Sequence, residues 1–179
     1  MEPWPHTIEP EQTKIGWRWL VRKVFTDPAG SDQEYYTMER LGTIHVATIA
    51  LTVDNTVLVA EQFRPGPEKI FEELPGGGHD SGEEPEAAAR RELHEETGYT
   101  PGSMEHLGVI YKDGYSNAET HYFLARDCVK DAEQHTDEGE FINVKEISIK
   151  QLLDNAYGAR MSDVGGVFLA YDKLRELEG

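Results

Sequence analysis

The stretch from residue 77 to residue 99, GGHDSGEEPEAAARRELHEETGY, decides how the rest of this 179-residue chain is interpreted. Pro85 suits the first turn of a helix, where its missing N–H costs nothing, and Gly98 suits the position just past a helix end. The residues between them are strong helix formers, so we predict a helix over residues 85–97. This helix is rich in glutamate, although the chain already carries a formal net charge of −17.

Three glutamates of the predicted helix share one face. Glu92, Glu95 and Glu96 are spaced i, i+3 and i+4, which brings their side chains together. Two carboxylates about 6 Å apart repel by roughly 3 kcal/mol at an effective dielectric constant of 20. Such a patch of anionic oxygens is what a hard cation selects, and Arg91 is placed to hold one of the carboxylates. The alternative is a solvated surface helix.

The composition limits the partners that we expect. A sequence pI of about 4.7 argues against broad nucleic-acid binding, which needs a basic face. No apolar run reaches the roughly 20 residues that span a bilayer, and the N-terminal segment has no basic-then-apolar leader. The single cysteine, Cys128, excludes an internal disulfide and fits a reducing compartment. We therefore expect a cytoplasmic protein without a nucleic-acid or membrane partner.

The remaining pattern predicts a mixed sheet with helices laid on it. Strands are predicted where β-formers alternate or cluster: residues 14–25, 32–41, 43–53, 56–63, 70–75, 104–112, 119–127 and 140–148. The third and fourth of these form a central hairpin that turns at Asp54 and Asn55. Two further helices are predicted over residues 149–157 and 162–177, and the apolar positions of the second are expected to pack on the sheet.

The opening stretch matches a known signature. Gly77 is followed by five residues and Glu83, and then by seven residues and the run RELHEETGY. This pattern resembles the signature of the Nudix hydrolases, and only Tyr99 departs slightly, since the family more often has an aliphatic residue there. The resemblance implies an α/β/α sandwich that hydrolyses a nucleoside diphosphate linked to another group, with Mg²⁺ or Mn²⁺ as cofactor. Divalent ions suit this reaction because they neutralise the charge of the pyrophosphate.

The resemblance also implies the ligand set. The expected metal ligands are four groups on this helix and in the loop before it: Glu92, Glu95, Glu96 and the carbonyl of Gly76. Glu95 and Arg91 are also expected among the catalytic residues, whereas Glu83 is expected to support the loop by hydrogen bonding.

A general base is expected from an acidic loop, residues 131–144. If metal occupies the helix glutamates, none of them is well placed to accept a proton from water, so another carboxylate should approach. In the ADP-ribose branch of the family, one glutamate of this loop is the base, and a second, two residues on, contacts metal. Glu138 and Glu140 match these two places, and Gly139 would let the loop flex. The alternative for each is a solvated acidic loop.

The residues before the signature resemble one branch of the family. The segment VAEQFRPGPEKIFEELPGG, residues 59–77, is similar to that of ADP-ribose pyrophosphatases and related nucleotide-sugar hydrolases. The resemblance places Arg64 and Glu73 at the substrate site, and an arginine suits bidentate phosphate binding. The alternatives are a surface arginine and a buried salt-bridge partner. Lys112 and Asp113 stand where ADP-ribose enzymes tend to have a proline, which leaves GDP-mannose and other nucleotide sugars open.

The aromatic N-terminal region also fits this branch, whose members form dimers that exchange N-terminal strands. Trp17 and Trp19 are expected on one side of a strand, either against the nucleobase or in the core. Arg40, at a predicted strand end, is a further candidate for phosphate binding. We expect a homodimer built largely from residues before Leu41. The chain divides accordingly into an N-terminal strand region, residues 1–41, and a hydrolase domain, residues 42–179.

The predicted function is divalent-metal-dependent hydrolysis of a nucleoside diphosphate sugar to a nucleoside monophosphate and a sugar phosphate. Two other functions remain open. One is a Nudix enzyme for nucleoside triphosphates or dinucleoside polyphosphates. The segment before the signature, with Arg64 and Glu73, argues against it. The other is a non-catalytic ligand-sensing domain. Such domains usually lose glutamates of the signature, and this chain has all of them.

Overall fold

The computed structural model describes residues 1–136 and 139–178, which form two compact units. The smaller unit consists of Met1–Ile44 and Tyr111–Glu119. The larger unit consists of His45–Ile110 and the chain from Thr120 onward. The division into residues 1–41 and 42–179 remains a prediction, since the smaller unit also includes a segment from the middle of the chain.

The smaller unit contains a three-stranded antiparallel sheet in the order β1-β2-β3. Its strands are β1 (Glu11–Ile15), β2 (Arg18–Thr26) and β3 (Asp32–Met38). The prediction of one strand over residues 14–25 is wrong, because Gly16 adopts a φ of 62° and turns the chain back on itself. Trp17 therefore lies in the turn between β1 and β2. It does not share one side of a strand with Trp19.

The other strands form one eight-stranded mixed sheet. The predicted central hairpin is confirmed: β4 (Ile44–Thr52) pairs antiparallel with β5 (Val57–Arg64), and Asn55 in the turn has a φ of 58°. The remaining strands are β6 (Lys69–Glu73), β7 (Gly76–Gly78), β8 (Tyr99–Thr100), β9 (Ser103–Tyr111), β10 (Glu119–Lys130) and β11 (Asn143–Ile147). The order is β11-β5-β4-β10-β8, with β6 beside β5, β7 beside β4 and β9 beside β10.

Two of the three predicted helices are confirmed, namely α1 (Pro85–Thr97) and α2 (Ile149–Tyr157). The C-terminus of α1 is capped by Gly98, whose φ is 76° and whose N–H donates to the carbonyl of His94 at 2.8 Å. The single helix predicted over residues 162–177 is wrong. The chain forms α3 (Val164–Leu169) and α4 (Tyr171–Glu178), which are separated at Ala170.

The sheet lies between two helical layers. Residues 47, 49 and 51 of β4 belong to one buried apolar cluster, together with Leu152 of α2, Val167 of α3 and Leu174 of α4. Residues 46 and 50 belong to buried clusters with Ala88, Ala89 and Leu93 of α1. Since successive side chains of a strand point to opposite faces, α1 covers one face of the sheet and α2–α4 cover the other. The expected α/β/α sandwich is confirmed.

The C-terminal helices bury only part of their apolar surface. Val167 and Leu174 are buried as expected, but Val164, Phe168 and Tyr171 are exposed. The break at Ala170 changes the helical register, so the five positions do not form one continuous face.

Cys128 is buried, and burial raises the pKa of its thiol to about 12. It is therefore an unreactive thiol. Within residues 1–136 and 139–178, no helix has the length and apolar character needed to cross a membrane.

Candidate active site

The short strand β7 fixes the position of one glutamate of α1. It consists of three glycines and pairs with β4, so that Gly76 lies opposite Ala47. A Cβ at Gly76 would lie only 2.1 Å from the carbonyl oxygen of Val46, so only glycine allows this approach. The N–H of Gly76 donates to the Glu96 carboxylate at 2.9 Å. The glycine strand thus orients the most buried glutamate of the helix face.

The next glycine makes room for a second glutamate. A Cβ at Gly77 would meet both carboxylate oxygens of Glu92, at 2.7 and 2.8 Å. The Glu92 side chain is only 16% exposed and lies against the backbone of β7. The first glycine of the signature therefore has a steric role in seating Glu92.

Gly77→Ala is expected to displace the Glu92 carboxylate without unfolding the protein, because a flexible side-chain end can move away from the new methyl group. On the expectation that Glu92 holds Mg²⁺, the Mg²⁺ concentration for half-maximal activity should rise about tenfold, since changes in groups that orient a metal ligand weaken metal binding by about 10- to 100-fold. Gly114→Ala is the matched control, since a Cβ there would meet nothing within 4 Å and Gly114 does not line the carboxylate cavity. Equal Mg²⁺ dependence of the two variants would contradict this role of Gly77.

Arg91 connects the loop before α1 to the helix face. Its Nη1 donates to Glu92 at 2.9 Å and to Glu95 at 3.0 Å. Its Nε and Nη2 donate to the carboxylate of Glu83 at 3.2 and 3.1 Å, and Nη2 also donates to the carbonyl of Gly78 at 3.0 Å. The Glu83 carboxylate is the main reason that the pKa of Arg91 is raised. Arg91 thus holds two carboxylates of the helix face and one of the loop.

The charged form of the glutamates on this face is disfavoured by burial and by mutual repulsion. Glu96 is 5% exposed, and burial is the main cause that raises its pKa to about 8. The charges of Glu92 and Glu140 raise it further, while the Gly76 N–H and the Arg64 charge oppose them. Burial also raises the pKa of Glu92, and the charges of Glu95 and Glu140 raise it further. A bound cation would relieve this repulsion.

These carboxylates line one cavity of about 120 Å³, whose wall consists of Gly77, Gly78, Glu92, Glu95, Glu96, His135, Thr136 and Glu140. Four carboxylates therefore come together from α1 and the acidic loop. Such a set of oxygen donors fits a hard divalent cation.

The side chains that line the cavity are not already arranged around one common point, as the ligands of a metal ion would be. Nowhere in the part of the chain that the structure describes do three His, Cys, Asp or Glu side chains already have the arrangement of a metal site. A cation here would compete with Arg91 for Glu92 and Glu95. Gly76 does not line the cavity, so its carbonyl remains a prediction as a ligand. A larger groove of about 400 Å³, beside Thr97 and Lys145, contains none of the predicted site residues.

The acidic loop is attached to α1 by its backbone. The N–H of His135 donates to the carbonyl of Glu95 at 2.7 Å, and the Thr136 hydroxyl donates to the carbonyl of Glu140 at 3.2 Å. Glu138, the predicted base, lies outside the described residues. His135 and Thr136 were not predicted at the site, because neither has a sequence spacing that indicates ligation.

Arg64 and Glu73 form an ion pair beside this cavity. They lie at the ends of the paired strands β5 and β6, and Nε of Arg64 donates to Oε2 of Glu73 at 2.5 Å. The Glu73 side chain is 2% exposed, whereas that of Arg64 is 45% exposed. A buried carboxylate thus holds a guanidinium that still reaches solvent. Glu73 is therefore a buried salt-bridge partner, and a substrate contact of its own remains a prediction.

The predicted aromatic and basic residues of the N-terminal region lie in the smaller unit. Trp17 is 74% exposed, and the guanidinium carbon of Arg18 lies 3.9 Å from its ring centroid. Trp19 is half-buried in β2, and the guanidinium carbon of Arg40 lies 5.7 Å from its ring centroid. Arg40 follows the end of β3 by two residues. Both pairs have cation–π geometry.

Known proteins are similar to this chain in sequence. A model of the NUDIX domain family matches residues 43–164. The chain is 33% identical over 134 residues to an ADP-ribose pyrophosphatase of Bacillus subtilis (strain 168), which covers 73% of this chain and 72% of that protein. It is 30% identical over 168 residues to an ADP-sugar pyrophosphatase of Mus musculus, which covers 84% of this chain and 77% of that protein.

The crystal structure of an ADP compounds hydrolase has the same fold. It matches with a TM-score of 0.80 at 20% identity, over 99% of this chain and 97% of that one. Nudix hydrolases generally use divalent metal ions, which agrees with the oxygen-lined cavity. The chain belongs to the Nudix family and is a hydrolase.

Proposed function

We propose that the protein hydrolyses the pyrophosphate bond of nucleoside diphosphate sugars, with ADP-ribose as the first candidate, using Mg²⁺ or Mn²⁺. The products would be a nucleoside monophosphate and a sugar phosphate. The observation that carries the proposal is the cavity of four carboxylates beside the Arg64–Glu73 pair. Carboxylates alone would repel a pyrophosphate, so the site requires a cation. The two pyrophosphatase relatives support an ADP compound as substrate.

Each part of the site has a separate task in this proposal. Glu92, Glu95, Glu96 and Glu140 would hold the divalent ion, which when bound neutralises charge on the pyrophosphate. Arg64 would bind a phosphate oxygen with the N–H groups that Glu73 leaves unused. Arg91 would keep the helix carboxylates in place through its contacts with Glu83 and Gly78.

Glu138 is the proposed general base. Thr136 and Glu140, which precede and follow Glu138 along the chain by two residues each, line the cavity wall. A glutamate from this loop would accept a proton from water while the glutamates of α1 hold the ion. Trp17, Trp19 and Arg40 remain proposed substrate contacts, and the exposed ring of Trp17 is the better suited for stacking on a base.

A substrate panel tests the proposal. ADP-ribose, GDP-mannose, UDP-sugars, NADH and ATP would be incubated with the protein and Mg²⁺, and the products identified by chromatography. We expect nucleotide sugars to yield nucleoside monophosphates, with ADP-ribose first. Preference for ATP or a dinucleotide would favour the alternative Nudix activities. Binding without hydrolysis of any compound would favour a sensing domain.

We also propose a homodimer, held by the smaller unit, in the cytoplasm. Large apolar side chains of that unit are exposed, namely Ile15, Trp17, Tyr36, Met38 and Leu41. Strand β1 is an edge of its sheet, and the unpaired backbone N–H and C=O groups of an edge can pair with another chain.

Light scattering at micromolar concentration is expected to give twice the monomer mass of 20.2 kDa. Ile15→Glu is expected to shift the mass toward the monomer, because it replaces the exposed apolar side chain of the edge strand with a charge. Tyr157→Glu is the control, since Tyr157 is 98% exposed on the larger unit. A monomer mass for the wild type would overturn the dimer and any role of Trp17 or Trp19 in a partner's site.

A further inference from the structure

A polar network joins the start of α3 to the end of β6. Ser162 and Asp163 lie just before α3, and Glu73 and Leu74 lie 89 residues earlier along the chain. The Ser162 hydroxyl donates to Oε1 of Glu73 and lies 3.4 Å from the Asp163 carboxylate. Oδ2 of Asp163 accepts the N–H of Leu74 at 3.2 Å. None of these contacts is explained by the signature, which ends at residue 99.

The network fixes the carboxylate that holds Arg64. The two oxygens of Glu73 have different partners, since Oε2 accepts Nε of Arg64 and Oε1 accepts the Ser162 hydroxyl. Because Glu73 is only 1% exposed, its carboxylate depends on hydrogen-bond donors from the protein. A buried carboxylate without its second donor gains by rotating toward another one. The direction of the Arg64 guanidinium therefore depends on the Ser162 hydroxyl.

The same network holds the backbone that leads to β7. Asp163 accepts the N–H of Leu74, the carbonyl of Pro75 accepts the N–H of Thr48 at 2.9 Å, and the N–H of Gly76 donates to Glu96. Residues 74, 75 and 76 are thus each held by a hydrogen bond. They connect Glu73, which binds Arg64, to the carboxylates of α1. Burial and then the charge of Glu73 raise the pKa of Asp163 to about 6.

We propose that Ser162 and Asp163 are positioning residues that set the direction of the Arg64 guanidinium, Ser162 through Glu73 and Asp163 through the Leu74 backbone. The consequence for catalysis rests on the proposed function, in which Arg64 binds a phosphate of the substrate. Neither residue reaches the substrate itself in this proposal. Replacing either residue should therefore raise KM only when Arg64 is present.

A double-mutant cycle tests this dependence. Ser162→Ala is expected to raise KM for the cleaved nucleotide sugar about tenfold, with kcat changed less than about threefold, because a hydrogen bond to a charged group is lost. In an Arg64→Ala background, Ser162→Ala should add less than about twofold. Ser162→Thr keeps the hydroxyl and should restore KM, and the exposed Ser103→Ala is the control. An unchanged KM, or an equal effect with and without Arg64, would overturn the proposal.

Asp163→Ala gives a second test, should Ser162→Ala destabilise the fold. It removes the acceptor of the Leu74 N–H and is expected to raise KM in the same Arg64-dependent way. Asp172→Asn, an exposed position on α4, is its control. Thermal unfolding of each variant distinguishes loss of positioning from loss of structure. A purely structural effect would lower Tm and kcat whether or not Arg64 is present.

An NMR readout needs no substrate. The ¹⁵N resonance of the Arg64 Nε–H, assigned by its absence in Arg64→Lys, is expected to shift or to exchange faster in Ser162→Ala but not in Ser103→Ala. If the resonance responds and the wild type cleaves no nucleotide sugar, the positioning stands and the proposed function fails. If the wild type cleaves nucleotide sugars and the resonance does not respond, the positioning fails alone.

Discussion

Replacing Glu96 with glutamine is expected to lower kcat at saturating substrate by more than about 100-fold while the fold is kept. Changes in the groups that merely orient a metal ligand already cost 10- to 100-fold, and Glu96 is proposed as a ligand itself. The amide keeps the shape of the side chain and can still accept the Gly76 N–H. Steady-state kinetics with Mg²⁺ measure the effect.

Glu86→Gln is the matched control for this variant. Glu86 lies in the first turn of the same helix, where it pairs with Arg90 and does not line the cavity. It is expected to keep near-normal turnover. Near-normal turnover of Glu96→Gln would remove Glu96 from the metal site. Mg²⁺ should also raise the Tm of the wild type more than that of Glu96→Gln.

The metal-free protein is expected to show the cost of the buried Glu96 carboxylate. Its pKa is about 8 in the folded state, against an ordinary value of 4.5. Between these two values the folded chain holds a proton that the unfolded chain has lost, so stability falls as the pH rises through this interval. Glu96→Gln has no such proton and should raise the metal-free Tm, most clearly at pH 9. A Tm difference that does not grow with pH would contradict this.

Glu138→Gln is expected to lower turnover by about 10²- to 10⁴-fold with little change in KM. The reason is that a base acts on the proton of the attacking water, whereas the ground-state contacts of the substrate lie elsewhere. Steady-state kinetics at several pH values would measure the effect. The acidic limb of the wild-type profile, which reports the base, should be absent from the residual activity of the variant.

Glu140→Gln distinguishes the base from a metal ligand. It is expected to raise the Mg²⁺ concentration for half-maximal activity, because Glu140 lines the carboxylate cavity. If Glu138→Gln keeps full turnover while Glu140→Gln loses it, the two roles are exchanged. If both variants stay active, the base is another group.

The spacing of neighbouring residues predicted those parts of the site that lie within a single helix or hairpin. Helix α1 and its glutamate face follow from Pro85, Gly98 and the i, i+3, i+4 spacing, since these depend on neighbours within one turn. The central hairpin follows from two β-rich runs around Asn55 for the same reason. The match to the Nudix signature extended the prediction to the α/β/α arrangement, which spacing alone does not specify.

Features that depend on distant contacts were not predictable. Strand β7 consists of glycines, which have low strand propensity, and it forms because the backbone of β4 approaches closely. The turn at Gly16 interrupted a run that reads as one strand. Ser162 and Asp163 reach Glu73 and Leu74 across 89 residues, and no local pattern carries such a contact.

The most direct test of the central claim is the metal-dependent fate of ADP-ribose. Protein stripped with EDTA would be mixed with ADP-ribose, with and without Mg²⁺, and followed by ³¹P NMR. We predict that the two pyrophosphate signals disappear only with Mg²⁺, and that signals of AMP and ribose 5-phosphate replace them in equal amounts. Hydrolysis that persists without a divalent ion, or cleavage at a bond other than the pyrophosphate, would contradict the account.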